Sequence, residues 1–367
     1  MRDLTQVIQK LIDKNTFTQK EAAEIMEYIL SGKCSDAEQA AFLTAMRTKG
    51  EDQTELLGMA QVIKKYAVPV RAPGAHLIDT CGTGGDLMDT FNISTLAAFV
   101  AAAAGARVAK QVYADPEYGC SSVRLLARLG LNIQQPPEKM LKLLARTGIT
   151  FLYLPLFHPR LMPLVRVSRQ VGFRNILNTL FPLSNPLGLQ GQITGVFEEK
   201  MTTLFSSVLR LLGRRRAFVF HGLEGLDEIS ISAETRLSEL RGGVINTLIF
   251  NPEQLGLSSE SVSVLQCTDA QDSAQICKII LSGREESARA DIVALNAAAA
   301  IAASGLAEDL QSGFSKARAI LSSGKAWAKL EAAADFLSVS AKKQAVIRPI
   351  RAANRPKVLK KKRFSPE

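Results

Sequence analysis

An α/β fold, with a mainly parallel central sheet covered by helices and a smaller all-helical domain beside it, is what the sequence predicts, and three observations carry that expectation. Residues 1 to about 67 read as a set of helices, their apolar positions recurring at helical spacing. Beyond Pro69, Pro73 and Gly74 the texture changes, and short β-branched or apolar runs alternate with helical segments, as they do where parallel strands are joined by covering helices. The 367 residues are 47% hydrophobic and 22% charged, an ordinary globular composition long enough for one large α/β domain and a smaller partner.

The elements follow in chain order. MRDLTQVIQKLIDK predicts an amphipathic helix whose charges exclude a signal peptide's apolar centre, and no apolar run reaches the ~20 residues that a membrane span needs. In SGKCSDAEQAAFLTAMRTKG, Ser35 with Glu38 three residues on forms a capping signature, and Gly50 ends the helix. A further helix runs from about Thr54 to Tyr66. HLIDT, ARVAK and ITFLYL read as strands, with helices after Asn92 and near Ser122 to Leu129. RAFVFHG (216–222) predicts a buried strand and VINTLIF (244–250) one nearer an edge. ARADIVALNAAAAIAASG predicts a long Ala-rich helix ending at Gly305, and one or two helices follow before the apolar period fades beyond Leu337. The domain expectation is therefore a helical domain at 1–68, joined by helices near 160–200, an α/β domain at 75–338, and a basic tail at 339–367.

Net charge is +10, but it is concentrated. From residue 341 onward ten Lys and Arg face Glu367 alone, a net +9, so residues 1–340 carry about +1. Such a tail either stays solvated or makes phosphate contacts to nucleic acid. The five cysteines are odd in number and scattered, without a C-x-x-C pair, and read as free thiols of a reducing, cytoplasmic setting. His158 lies between apolar runs and reads as a structural histidine rather than a base. The Arg214–Arg216 run, at a helix end before a strand, reads as charge offsetting the helix dipole, with no ligand assigned.

The most informative segment is Asp79-Thr-Cys-Gly82-Thr83-Gly84-Gly85-Asp86 at a predicted strand's exit, followed by Thr90-Phe-Asn92-Ile-Ser94-Thr95 at a helix start. Glycines let a backbone approach an anion closely, and Asn92, Ser94 and Thr95 set amide and hydroxyl groups beside helix N–H donors. The combination predicts a cradle for phosphates.

These residues, with T-F-N-I-S-T-x-A-A-F-V-A-A-A after them, resemble the phosphoribosyl-diphosphate loop of the anthranilate phosphoribosyltransferase family. The likeness extends from about residue 20 to residue 335 through S-G-K-x-S-D-A-E-x-A-A-F-L, His158-Pro159, V-R-x-x-x-x-x-G-x-R ending at Arg174, N-x-L-x-P-L-x-N-P ending at Pro186, and His221-Gly222 with Gly225-Leu226-Asp227-Glu228-Ile229-Ser230. The resemblance implies that Gly82, Gly85, Asp86, Thr90, Asn92, Ser94, Thr95, Lys110 and Ser122 hold phosphoribosyl diphosphate. It also implies that Gly82 and Arg174 face anthranilate or a related aromatic amine, that Ser94, Asp227 and Glu228 bind Mg²⁺, and that the molecule is a homodimer through its helical domain. The implied reaction is attack of the aromatic amine on the anomeric carbon as diphosphate leaves. In one branch the resemblance implies instead a non-catalytic, nucleic-acid-binding relative.

The family's next loop, K-H-G-N-R-x-x-S-S, departs here. Lys110 and Ser122 keep the pattern, whereas Gln111, Val112, Tyr113 and Ala114 replace His, Gly, Asn and Arg, Asp115 and Glu117 add negative charge, and Phe181 replaces a glycine in the N-x-L-x-P-L segment. Those changes predict weaker phosphate contacts from this loop and an altered acceptor end.

Overall fold

The computed structural model describes residues 4–72, 76–84, 88–113 and 121–339. Gly85, Asp86, Ala114, Asp115, Glu117, Cys120 and the basic tail, with its expected nucleic-acid contact, lie outside the described residues. Four helices come first: α1 Leu4–Ile12, α2 Gln19–Leu30, α3 Asp36–Lys49 and α4 Gln53–Lys65. Reciprocal capping boxes start three of them, Thr18 with Glu21, Ser35 with Glu38 and Asp52 with Glu55. Each satisfies amide groups that a helix start leaves without partners.

The sheet has seven strands: β1 Leu77–Asp79, β2 Arg107–Val112, β3 Ile149–Tyr153, β4 Gly191–Gly195, β5 Arg216–Gly222, β6 Thr235–Arg241 and β7 Val244–Phe250. Their order is β3-β2-β1-β4-β5-β6-β7, parallel through β5 and antiparallel for the final two. β7 is the mostly exposed edge, as its sequence predicts. The mainly parallel, helix-covered sheet with an N-terminal helical bundle is thus the predicted fold class. β4 and β6 escape sequence patterning. GQITG is short and bounded by glycines, and TRLSELR scatters charges along a half-buried strand.

Two hydrophobic cores result. One joins β1–β3 to the helix Ile93–Ala103 (α5), the Ala-rich helix Ala288–Ala303 and their neighbours. The other joins α1–α4 to residues from 154 to 183 and from 196 to 209. β5 serves both, because strand side chains alternate: Phe218 and Phe220 enter the first core, Ala217 and Val219 the second. A continuous apolar run, rather than an alternating one, is therefore what β5 requires. No helix among the described residues is long and apolar enough to cross a membrane.

Buried titratable groups away from the sheet ends are structural. His158 is 2% exposed, and burial pushes its pKa down to about 4 from an ordinary 6.5. The unfolded chain therefore binds this proton more readily than the folded one. Stability from the neutral ring is complete above pH 6.5 and is lost as the pH falls toward 4. The loss by pH 4 is expected to be about 3 kcal/mol. Denaturant midpoints at pH 7 and pH 4.5 check it: His158→Gln should show the shallower dependence, and an unchanged slope would contradict the assignment. Cys34, Cys81, Cys267 and Cys277 are buried and form no disulfide, and burial holds the Cys34, Cys81 and Cys277 thiols well above the usual range, so none of those three is a ready nucleophile.

Candidate active site

The strand order reverses direction at β1, whose neighbours β2 and β4 are reached by connections running opposite ways. In parallel sheets such a switch point opens a crevice beyond the carboxyl ends of the strands. A cleft of about 760 Å³ lies there. Every described candidate residue lines it: Gly82, Thr90, Asn92, Ser94, Thr95, Lys110, Ser122, Arg174, Asp227 and Glu228.

The loop after β1 is tied to β4. Thr83 donates its N–H (2.9 Å) and its hydroxyl (3.3 Å) to the Gly195 carbonyl. A Cβ on Gly82 would lie 3.2 Å from that oxygen and 3.6 Å from Asp227 Oδ2, so a side chain here would crowd both the strand and the acid. Farther along, Thr90 bridges Gln266, and the Phe91 N–H donates to the Leu265 carbonyl, pinning the approach to α5.

At the amino end of α5, Asn92 occupies the cap position, but its side chain does not cap the helix. Asn92 Oδ1 instead accepts from the Ser273 hydroxyl at 3.1 Å. The first turn of α5 contains no acid. The anion that complements its dipole comes from 134 positions away, where Glu228 Oε1 accepts the Ser94 N–H at 3.1 Å. Thr95 is fully buried, and its hydroxyl has no hydrogen-bond partner. Burying such a group without a partner costs about 1–3 kcal/mol.

Lys110, 3% exposed, donates to the Thr80 carbonyl (2.6 Å), Thr80 Oγ1 (3.3 Å) and Ser94 Oγ (3.2 Å), stitching β2 to β1 and α5. Beneath it Asp79 accepts from Asn185 Nδ2 (2.7 Å) and the Gln111 N–H (3.2 Å). Burial pushes the Asp79 carboxyl up to about 6, against the opposing charge of Lys110 and those hydrogen bonds. Arg214 is buried nearby and donates to Gln192 Oε1 at 3.1 Å, while Arg216 pairs with Glu239 at 2.9 Å. Both side chains are engaged by partners within the chain.

The acidic pair sits on a turn after β5. That turn is clamped by Asn296, which accepts the Ile229 N–H (2.9 Å) and donates to the Ile229 carbonyl (3.0 Å). A lone Asn inside ARADIVALNAAAAIAA is the one sequence signal of this clamp, because such a run has no other use for a buried amide. Asp227 and Glu228 with Ser94 Oγ offer only oxygen donors. Among the described residues no cluster of three or more acids, histidines or cysteines forms a closed metal cage. Few carboxylates beside an anion cradle fit Mg²⁺, which keeps positions for substrate oxygens and water.

At the other end of the cleft, Arg174 precedes the short helix Ile176–Leu180, and its guanidinium carbon lies 4.8 Å from the centre of the Phe197 ring. Arg47 lies over the same ring at 5.6 Å and pairs with Glu198 at 3.0 Å. Among the described residues Arg174 forms no ion pair. Tyr113 and Phe181, both departures from the resembled pattern, meet edge to face at 6.1 Å, and Arg169 lies 5.1 Å over the Tyr113 ring. Arg47, Arg169 and Gly195 line the cleft without any sequence signal that would have singled them out.

Comparison with known proteins places the chain among relatives of the same fold. Residues 74–327 match the α/β-domain model of a glycosyl transferase family, and residues 5–67 match that family's helical bundle domain. The chain is 40% identical over 332 residues to the anthranilate phosphoribosyltransferase of Desulfatibacillum aliphaticivorans, covering 90% of this chain and 98% of that protein. It is 42% identical over 325 residues to that of Syntrophobacter fumaroxidans, covering 89% and 96%. The crystal structure of anthranilate phosphoribosyltransferase from Thermus thermophilus superposes with a TM-score of 0.84 at 34% identity, covering 90% of this chain and 99% of that one. The fold is also that of the Saccharomyces cerevisiae enzyme in complex with phosphoribosyl diphosphate and Mg (TM-score 0.83, 24% identity, 92% and 98% covered).

Proposed function

The chain belongs to the glycosyl transferase family of the anthranilate phosphoribosyltransferases, and from that membership we propose that it transfers phosphoribosyl from phosphoribosyl diphosphate to the amine of anthranilate or a closely related aromatic amine, with Mg²⁺. The observation that carries this reading is the pairing, across one cleft, of a helix amino end bearing the partnerless Thr95 hydroxyl with Arg174, which forms no ion pair among the described residues.

In this reading the Ser94 and Thr95 groups hold the diphosphate, and Gly82 lets the ribose pass close to the backbone. Asp227 and Glu228, with Ser94 Oγ, hold the Mg²⁺, which when bound neutralises charge building on the leaving diphosphate. Arg174 receives the acceptor's carboxylate, for which a planar guanidinium fork is suited, and the Phe197 ring lies 4.8 Å from its central carbon. No side-chain nucleophile is called for, since the amine nitrogen forms the new bond to the anomeric carbon as the carbon–oxygen bond to diphosphate breaks. Alignment and charge stabilisation supply the rate. Residues 114–120, outside the described residues, bear on the rate through the charges that their sequence changes. The active form is proposed to be a cytoplasmic homodimer.

Incubating the purified chain with labelled phosphoribosyl diphosphate, Mg²⁺ and anthranilate tests the proposal. Release of diphosphate that depends on both metal and acceptor is the expected result, and none above an Asp227→Ala control defeats it. Arg174→Ala is expected to raise the acceptor KM at least ~30-fold, the loss of about 2 kcal/mol or more that a charged contact commonly carries, while the KM for phosphoribosyl diphosphate changes little. Equal changes in both constants would remove Arg174 from the acceptor end.

A further inference from the structure

Arg174 and Phe181 flank the helix Ile176–Leu180, whose five residues span about 7.5 Å at ~1.5 Å per residue. Both ends of this helix are pinned. At its start Asn175 and Asn178 close a reciprocal capping box, and the Asn175 side chain also donates to the Ser168 hydroxyl at 2.7 Å. At its end the Phe181 N–H donates to the Leu177 carbonyl (2.9 Å), and the Phe181 carbonyl accepts both the N–H (3.2 Å) and the hydroxyl (2.8 Å) of Ser184. Ser184 Oγ in turn accepts from Nε2 of the buried Gln111 at 3.1 Å.

β2 delivers a second ring to the same place. Strand side chains alternate, so Lys110 reaches Thr80 and Ser94 while Gln111 reaches the opposite side of the sheet. Tyr113, two residues beyond Gln111, packs with Phe181 against the core of the helical bundle. Their rings meet edge to face at 6.1 Å, and Arg169 covers the Tyr113 ring at 5.1 Å. Both rings line the cleft, as does Arg174.

We propose that Tyr113 and Phe181 are specificity-determining residues, forming a fixed aromatic wall that admits one-ring aromatic amines to the acceptor end and excludes fused two-ring ones. The inference rests on the reading of Arg174 as the receiver of the acceptor's carboxylate. With that carboxylate held at one end of the helix and the Phe181 ring at the other, the helix between them sets the length available to the acceptor. A second fused ring lengthens the acceptor against side chains that have no room to withdraw, and overpacking of this kind is opposed.

Steady-state transfer by the full chain to anthranilate, 1-amino-2-naphthoate and 3-amino-2-naphthoate, with Mg²⁺ in excess, tests this on the wild type, Phe181→Gly and Tyr113→Ala. Wild-type kcat/KM is expected to be at least ~100-fold higher for anthranilate than for either naphthoate. Phe181→Gly should narrow that ratio at least ~10-fold for one or both naphthoates. Tyr113→Ala opens the same wall from β2, should narrow the ratio too, and carries the test should the glycine variant fail to fold. The ratio is the readout because general damage to the fold lowers transfer to all three acceptors alike. A wild type that uses either naphthoate as well as or better than anthranilate overturns the proposal, as do folded variants that keep the wild-type ratios. A wild type that transfers to none of the three overturns instead the functional reading beneath it.

Discussion

Gly195→Ala is expected to abolish measurable Mg²⁺-dependent diphosphate binding and to lower the rate of diphosphate release at least ~100-fold. Gly195 ends β4 in the middle of the switch point, and a Cβ there would overlap the Asp227 carbonyl oxygen and crowd its carbonyl carbon. Relief can come from only two directions. Either the end of β4 withdraws and takes with it the carbonyl that receives the Thr83 N–H and hydroxyl, or the acidic turn withdraws against the Asn296 clamp on Ile229. Both displace groups proposed to hold metal or phosphate by about an ångström, a misplacement that can cost on the order of 100-fold. Overpacking of this kind also destabilises by about 1–3 kcal/mol, so the melting temperature should fall as well. Gly188→Ala is the matched control: its Cβ would meet nothing within 4 Å, and it should leave binding and melting unchanged. A Gly195→Ala protein with wild-type diphosphate affinity would show that the close approach of β4 to the acidic turn has no part in the site.

Asp227→Ala is expected to lower the rate of phosphoribosyl transfer by about 10²–10³-fold, the range in which loss of a single electrostatic stabiliser falls. Asp227 is more exposed than Glu228 and stands on the Gly82 side of the cleft. Its removal should weaken Mg²⁺-dependent diphosphate binding while Glu228 still occupies the Ser94 N–H. Asp227→Asn, which keeps the shape and loses the charge, should recover part of its rate as Mg²⁺ is raised. Steady-state rates across a magnesium series distinguish a metal-holding role from a merely structural one, since a folding defect would not respond to the ion. Full activity of Asp227→Ala at low Mg²⁺ would remove the residue from metal binding altogether.

Much of the fold is legible in short stretches of sequence. Ser35 with Glu38 announces the start of α3, RAFVFHG has the unbroken apolar run of a strand covered on both faces, and VINTLIF has the weaker burial of an edge. The lining of the cleft by this loop is legible for the same reason, since Gly82 to Gly84 and Asn92 to Thr95 are close in sequence, at a strand exit and a helix start. β4 was not legible, because a five-residue strand bounded by glycines has too little side chain to show a period. Asn92 illustrates the limit of local inference: its position is that of a cap, yet its side chain turns to Ser273.

What the sequence alone determined is therefore the class of fold, the strand-to-helix loop and the residue types available to a phosphate and a metal. Tertiary structure decided which of those residues meet. It set Glu228 on the Ser94 amide across 134 residues, Asp227 against Gly82 and Gly195, and Arg47 with Arg174 on one Phe197 ring. The reason is one of range. Caps, turns and periodic faces arise from forces between neighbours within a turn or two, whereas a cleft at a switch point exists only once strands distant in the chain have paired and their carboxyl ends have been brought side by side.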